Sequence, residues 1–106
     1  MMKRFALAMV LSLATSAHAD EVTDVWKAKC KSCHGEDGKA KTKMGQKESI
    51  VDLTQPAWQQ AESDADIRRV IAEGSAKNTK MKAFKDKLTP QQIDALVGYI
   101  RTMKAK

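Results

Sequence analysis

Five consecutive residues, Cys30-Lys31-Ser32-Cys33-His34, constrain this chain more than any other stretch. On a helix, residues three and four apart share a face, so Cys30, Cys33 and His34 can all point one way. A Cys-x-x-Cys-His run is the attachment motif of c-type haem. The two thiols can meet the edge of one porphyrin and take its two vinyl groups as thioethers. The imidazole, four residues after the first cysteine, can then sit beneath the iron. Other uses of the same residues compete. A redox dithiol of this spacing needs a strand leading into it, and the residues before Cys30 read as helix. A zinc site needs four ligands, whereas the motif offers three, two of them adjacent. A disulfide between cysteines three apart on a helix would be strained.

The length of 106 residues argues for one domain, and residues 1–19 are not expected to be part of it. Lys3 and Arg4 make a positive start, Phe5 to Leu13 is apolar apart from Ser12, and Ala17-His18-Ala19 is a small-x-small cleavage site. This is the pattern of a secretory signal peptide, and its apolar run is too short to span a bilayer. The expected boundaries are a cleaved signal peptide over 1–19 and one domain over 20–106, delivered to the periplasm as a soluble protein with no membrane span. Cleavage removes His18 and leaves His34 as the only histidine. No second histidine of this chain can then serve the iron.

The exported chain would carry only four aromatic residues, Trp26, Trp58, Phe84 and Tyr99. So small a domain usually needs a staple, and a buried macrocycle would be its largest apolar body. Val22, Val25 and Trp26 run into Cys30 and Cys33 at helical spacing, which predicts a first helix from Glu21 to Cys33 with an apolar face ending at the motif. Gly35-Glu36-Asp37-Gly38 turns the chain. Lys39 to Lys47 reads as a lysine-rich loop without periodicity, and Ile50, Val51 and Leu53 are expected against the cofactor. Thr54 is placed to cap a short helix that has Pro56 in its first turn and carries Trp58.

Ser63-Asp64-Ala65-Asp66 is similar to a capping box; Ile67, Val70 and Ile71 supply a buried stripe, and Gly74 ends that helix. A long lysine-rich connection, Ser75 to Leu88, follows. Thr89-Pro90-Gln91-Gln92 then opens a last helix, with threonine as cap, proline first and glutamine three after the cap. Ile93, Leu96, Val97, Ile100 and Met103 line one face of it. No strand or repeat stands out, so the expected fold class is all-α with loops wrapped around one covalently bound haem.

For the sixth position of the iron, residues 20–106 offer Met44, Met81 and Met103 as thioethers, or a lysine amine. Met103 continues the apolar stripe of the last helix and reads as core. Met44 lies ten residues after His34, in a loop that could reach over the haem edge. Met81 lies in the long connection between two helices, and such loops are usually functional or disordered. Met81 is therefore the expected ligand, with Met44, a lysine or an open site as the other choices. A thioether opposite an imidazole favours ferrous iron and leaves no vacant position for a substrate.

With these residues in view, the chain resembles the small monohaem class I bacterial cytochromes c, from Val22 to Met103. The resemblance rests on Cys30-Lys31-Ser32-Cys33-His34-Gly35, Asp52-Leu53-Thr54, Met81-Lys82-Ala83-Phe84, and Leu88-Thr89-Pro90 with the final helix. It implies that Cys30 and Cys33 hold the haem, that His34 and Met81 are the metal ligands, and that the first and last helices cross near Trp26 and Tyr99. It also implies an electron carrier, not an enzyme. Three positions depart from the common pattern. No proline follows His34 before Pro56, Lys82 stands where a proline often follows the distal methionine, and Val22 falls where a glycine often eases the helix crossing.

The formal charge is +6, and removal of Lys3 and Arg4 leaves 17 basic against 13 acidic residues, or +4. Twelve of the fourteen lysines beyond residue 20 lie in three segments: 27–31, 39–47 and 77–87. All three border the motif or Met81, so a basic ring around the haem edge is expected to steer an acidic redox partner into a transient complex. Modest charge without interleaved aromatics argues against nucleic acid. A monomer is expected. The alternatives are a haem enzyme or gas sensor with an open sixth position, and a haem subunit of a larger oxidoreductase.

Overall fold

The computed structural model describes residues 21–105. The expected signal peptide and its cleavage point after Ala19 lie outside these described residues. Helix α1 covers residues 21–34, α-helical at 21–25 and again at Lys31–His34. Between them, Trp26–Cys30 forms a π-helical turn in which the Lys31 N–H reaches back to the Trp26 carbonyl. Such a turn holds one more residue than an α-turn. No sequence feature had announced it.

Four further helices follow: α2 (Lys43–Lys47), α3 (Pro56–Ala61), α4 (Asp64–Glu73) and α5 (Pro90–Arg101). There is no strand among the described residues, and the all-α class stands. The segment expected to be a bare loop, Lys39 to Lys47, contains α2 because the Thr42 hydroxyl caps it, accepting from Gly45 N at 2.8 Å. The expected cap of α3 is corrected. Thr54 turns away from that helix, and both its N–H and its hydroxyl donate to Asp52 Oδ1, at 2.8 and 2.6 Å. Gln55 occupies the cap position without a side-chain bond, and Pro56 opens the helix. An aspartate two residues upstream competes for the threonine and wins.

The other start and stop signals hold. Ser63 accepts from Asp66 N at 3.1 Å. Gly74 ends α4 at φ +88°. Thr89 and Gln92 exchange reciprocal bonds of 3.1 and 2.8 Å, a complete capping box. The apolar stripes of α4 and α5 then meet: Ile67, Ile71 and Ala72 share one core with Ile93, Leu96, Val97 and Ile100. Trp26 and Leu96, each 1 % exposed, are its most enclosed large side chains. Burial of each contributes on the order of 2–3 kcal/mol. Helices α1 and α5 meet through the Trp26 and Tyr99 rings, whose centroids are 5.5 Å apart at 57°. Gln92 Nε2 also donates to Glu21 Oε1 at 3.0 Å.

Buried Gln59 and half-buried Arg101 tie α3 to α5. Gln59 Nε2 donates to the carbonyls of Leu53 (2.8 Å) and Ile100 (3.0 Å). The Arg101 guanidinium donates to the Gln59 and Glu62 carbonyls and to Asp64 Oδ1. The exposed Arg68–Asp94 ion pair between α4 and α5, at 2.7 Å, contributes at most about 1 kcal/mol. A groove of about 340 Å³ beside it is lined by Arg68, Asp94, Gly98 and Arg101 and contains none of the motif residues.

Candidate haem-attachment site

The motif occupies the last turns of α1, with Cys30 at the end of the π-helical turn and Cys33 and His34 in the α-helical one. Both cysteines are free thiols and half-buried. Burial, and then the neighbouring Cys33, push the Cys30 thiol up to about 11, so it stays protonated in the free chain. Among the described residues no three His, Cys, Asp or Glu side chains are grouped to hold a metal ion. The motif is thus not folded into a zinc-type cage.

His34 is half-buried, and burial holds its pKa below the ordinary 6.5. Its Nδ1 is enclosed and has no hydrogen-bond partner. The imidazole packs beside Trp26, ring centroids 5.9 Å apart at 39°. The indole Nε1 of Trp26 in turn donates to the Gly35 carbonyl at 3.0 Å.

The segment after the motif folds back on it. Ala40 N donates to the His34 carbonyl at 2.8 Å, and Thr42 Oγ1 donates to the Cys33 carbonyl at 2.7 Å. Gly45 of α2 lies against the same backbone: a Cβ there would stand 2.8 Å from the Ala40 carbonyl carbon and 2.9 Å from the Cys33 carbonyl oxygen. Ala40 itself adopts φ +57°, strained for a residue with a Cβ. Thr42 and Gly45 are not marked in the sequence: a threonine with glycine, not Glu or Gln, three residues later does not spell a capping box.

Met81 is half-buried against the core that Cys30 also borders. Its loop is fixed by its backbone. Met81 N donates to Asn78 O (3.0 Å), the Met81 carbonyl accepts from Ser75 N (3.2 Å), and Phe84 N and Lys85 N donate to Ile71 and Ala72 at the end of α4. Gly74 permits this approach, since a Cβ on it would lie 3.0 Å from the Met81 carbonyl. Met44 is half-buried within α2, and Met103 packs at the rim of the core as its stripe position implied. Of the residues expected against the cofactor, Leu53 is buried in the core and Val51 is 47 % exposed.

The family model described as "Cytochrome C oxidase, cbb3-type, subunit III" matches residues 17–100. The chain belongs to this cytochrome c family. The KustC0563 c-type cytochrome is 35 % identical and superposes with a TM-score of 0.72, over 78 % of this chain and 96 % of that one. The cbb3-type cytochrome c oxidase subunit FixP of Azorhizobium caulinodans is 32 % identical over 85 residues, which are 80 % of this chain but 27 % of that protein. The chain therefore spans about a quarter of that relative.

A cytochrome c fold of this family carries covalently bound haem c, and one such group suits a domain of this size. The donor set fits it. Two unpaired thiols three residues apart suit thioether attachment, and a half-buried imidazole follows directly after the second of them. The chain is an electron-transfer haem domain.

Proposed function

We propose that this cytochrome c is an exported, soluble one-electron carrier in the periplasm, processed after Ala19. In this reading Cys30 and Cys33 hold the haem, His34 Nε2 is the proximal ligand and Met81 Sδ the distal one. When bound, the haem supplies a one-electron Fe(III)/Fe(II) couple. The protein's part is to fill both axial positions and exclude substrate, which makes the domain a carrier and not an enzyme. The observation that carries the reading is the anchorage of the Met81 loop: four backbone bonds and Gly74 hold the methionine against the core that Cys30 borders. No described helix is long and apolar enough to cross a membrane.

The twelve lysines of the three flanking segments are all exposed, which supports a basic docking ring for an acidic redox partner. A second reading has its own support. FixP, a subunit of a cbb3-type oxidase, contains a counterpart of this chain that makes up 27 % of its length, so the domain could serve as a fixed haem module of an oxidoreductase. Stable co-purification with other subunits would favour that reading, and recovery as a free monomer would favour the shuttle.

The test of ligation is the absorption spectrum of the matured holoprotein, oxidised and reduced, beside Met81→Ala. A low-spin spectrum whose weak far-red sulfur–iron band is lost in the variant is expected. A high-spin wild type, or a band that survives the substitution, would move the ligand to Met44 or open the site, and an enzyme or gas sensor would become the better reading.

A further inference from the structure

Arg101, at the end of α5, donates four hydrogen bonds. One goes to Asp64 Oδ1 at 2.7 Å. The other three go to the end of α3. Nη1 donates to the Gln59 carbonyl at 2.6 Å and to Gln59 Oε1 at 3.1 Å, and Nη2 donates to the Glu62 carbonyl at 2.5 Å. The last carbonyls of a helix have no partner within it, and a cation placed there satisfies them. The guanidinium thus completes a helix of six residues that has no side-chain cap at its start.

The bond to Oε1 has a second effect. An amide whose oxygen faces the guanidinium turns its nitrogen the other way, and Gln59 Nε2 donates to the carbonyls of Leu53 (2.8 Å) and Ile100 (3.0 Å). Leu53 is held from its other side as well, because its N–H donates to the Gly38 carbonyl at 2.9 Å, just after the motif. The Leu53 side chain is buried in the core, and Cys30, Met81 and Trp58 pack against that same core. Through one glutamine, Arg101 therefore reaches the segment that runs from the motif's turn to α3.

We propose that Arg101 is a positioning residue of the haem-bearing core: by fixing the Gln59 amide it keeps the Leu53–Trp58 segment closed on the core that Cys30 and Met81 border, and so keeps water from the cofactor. The inference rests on haem attachment at Cys30 and Cys33, proposed above. Ferric haem carries one positive charge more than ferrous haem, and a dry surrounding disfavours the more highly charged state. A closed segment therefore raises the reduction potential, and a loosened one lowers it. Lysine at this position would keep the charge but lose the planar fork that serves Gln59 and Glu62 together. The ion pair is secondary, since the Asp64 side chain is 73 % exposed and such pairs contribute little.

The test uses the matured holoprotein, its haem-bearing peptide identified by mass spectrometry, and two variants that leave the net charge unchanged, Arg101→Lys and Gln59→Met. Spectroelectrochemical titration gives the midpoint potential, and hydrogen-exchange NMR of the reduced protein follows the Leu53 N–H. Both variants are expected to lower the potential and to speed that exchange, whereas Asp64→Asn is expected to do neither. A lower melting temperature with potential and exchange at wild-type values would make Arg101 only a brace of the fold, and would overturn the proposal. So would a fall in Asp64→Asn equal to that in Arg101→Lys, which would assign the effect to the ion pair. A wild-type Leu53 N–H that exchanges as fast as that of exposed Val51 would also overturn it; this result needs no variant to fold and leaves the attachment intact. Haem found elsewhere than on Cys30 and Cys33 would overturn the attachment itself, and the inference with it.

Discussion

Gly45 lies with its backbone against the carbonyl oxygen of Cys33, at a separation that would put a Cβ 2.9 Å away. Two cysteines spaced for attachment are thus backed directly by the short helix α2, whose cap, Thr42, bonds to that same carbonyl. The contact is backbone on backbone and cannot relax by a rotamer change.

Gly45→Ala should therefore destabilise the holoprotein by about 1–3 kcal/mol, the usual range for forcing extra volume into a packed site. Denaturant unfolding followed by circular dichroism measures it. Stability within about 0.5 kcal/mol of wild type would show that α2 shifts freely and does not brace the motif.

Gly74→Ala meets two obstacles, a φ of +88° and the Met81 carbonyl 3.0 Å from the new Cβ. A strained backbone of this kind costs about 1–3 kcal/mol. Because the displaced group is the Met81 backbone, the far-red sulfur–iron band should weaken along with stability. Loss of stability with an unchanged band would separate Gly74 from the ligand loop.

Asp52 supplies a pH dependence. Partial burial raises its pKa, but the hydrogen bonds from the Thr54 side chain and N–H, then Gln55, then the charge of Lys39, together bring it below the ordinary 3.8. A carboxyl depressed by folding contributes stability above its unfolded value, and that contribution is lost as the pH falls through the folded one. Asp52→Asn should accordingly be less stable than wild type at pH 7, and the difference should shrink on acidification below about pH 4. Unfolding curves of both proteins across that range test this; a constant difference would remove Asp52 from the linkage.

The exposed lysines beside Met81 include Lys80, Lys82 and Lys85. If they steer an acidic partner, association should slow as ionic strength rises, since exposed charges are screened within about 10 Å at 0.1 M salt. Reversal by Lys82→Glu should reduce the low-salt association rate several-fold, with the two proteins converging at high salt. Stopped-flow electron transfer to an acidic acceptor measures both. Rates indifferent to salt would leave the lysines as ordinary solvated side chains.

Much of the fold was legible because its signals are local. Thr89-Pro90-Gln91-Gln92 carries its own capping chemistry, the stripe from Ile93 to Ile100 has helical period, and Gly74 marks a stop that needs positive φ. Where local signals competed, the reading failed. Thr54 could cap α3 or bond to Asp52, and nothing in the sequence ranks the two. The π-helical turn at Trp26–Cys30 has no proline or glycine to announce it.

The sequence by itself determined which residues we propose for attachment: two thiols and an imidazole at spacings of three and four need only a helix to face one way. Which hydrogen bonds surround that chemistry was decided by tertiary structure alone. The Gly35 carbonyl is claimed by an indole nine residues upstream, the Cys33 carbonyl by a hydroxyl nine residues downstream, and His34 Nδ1 by nothing. Acceptors are allotted by distance in the folded chain, and packing sets those distances.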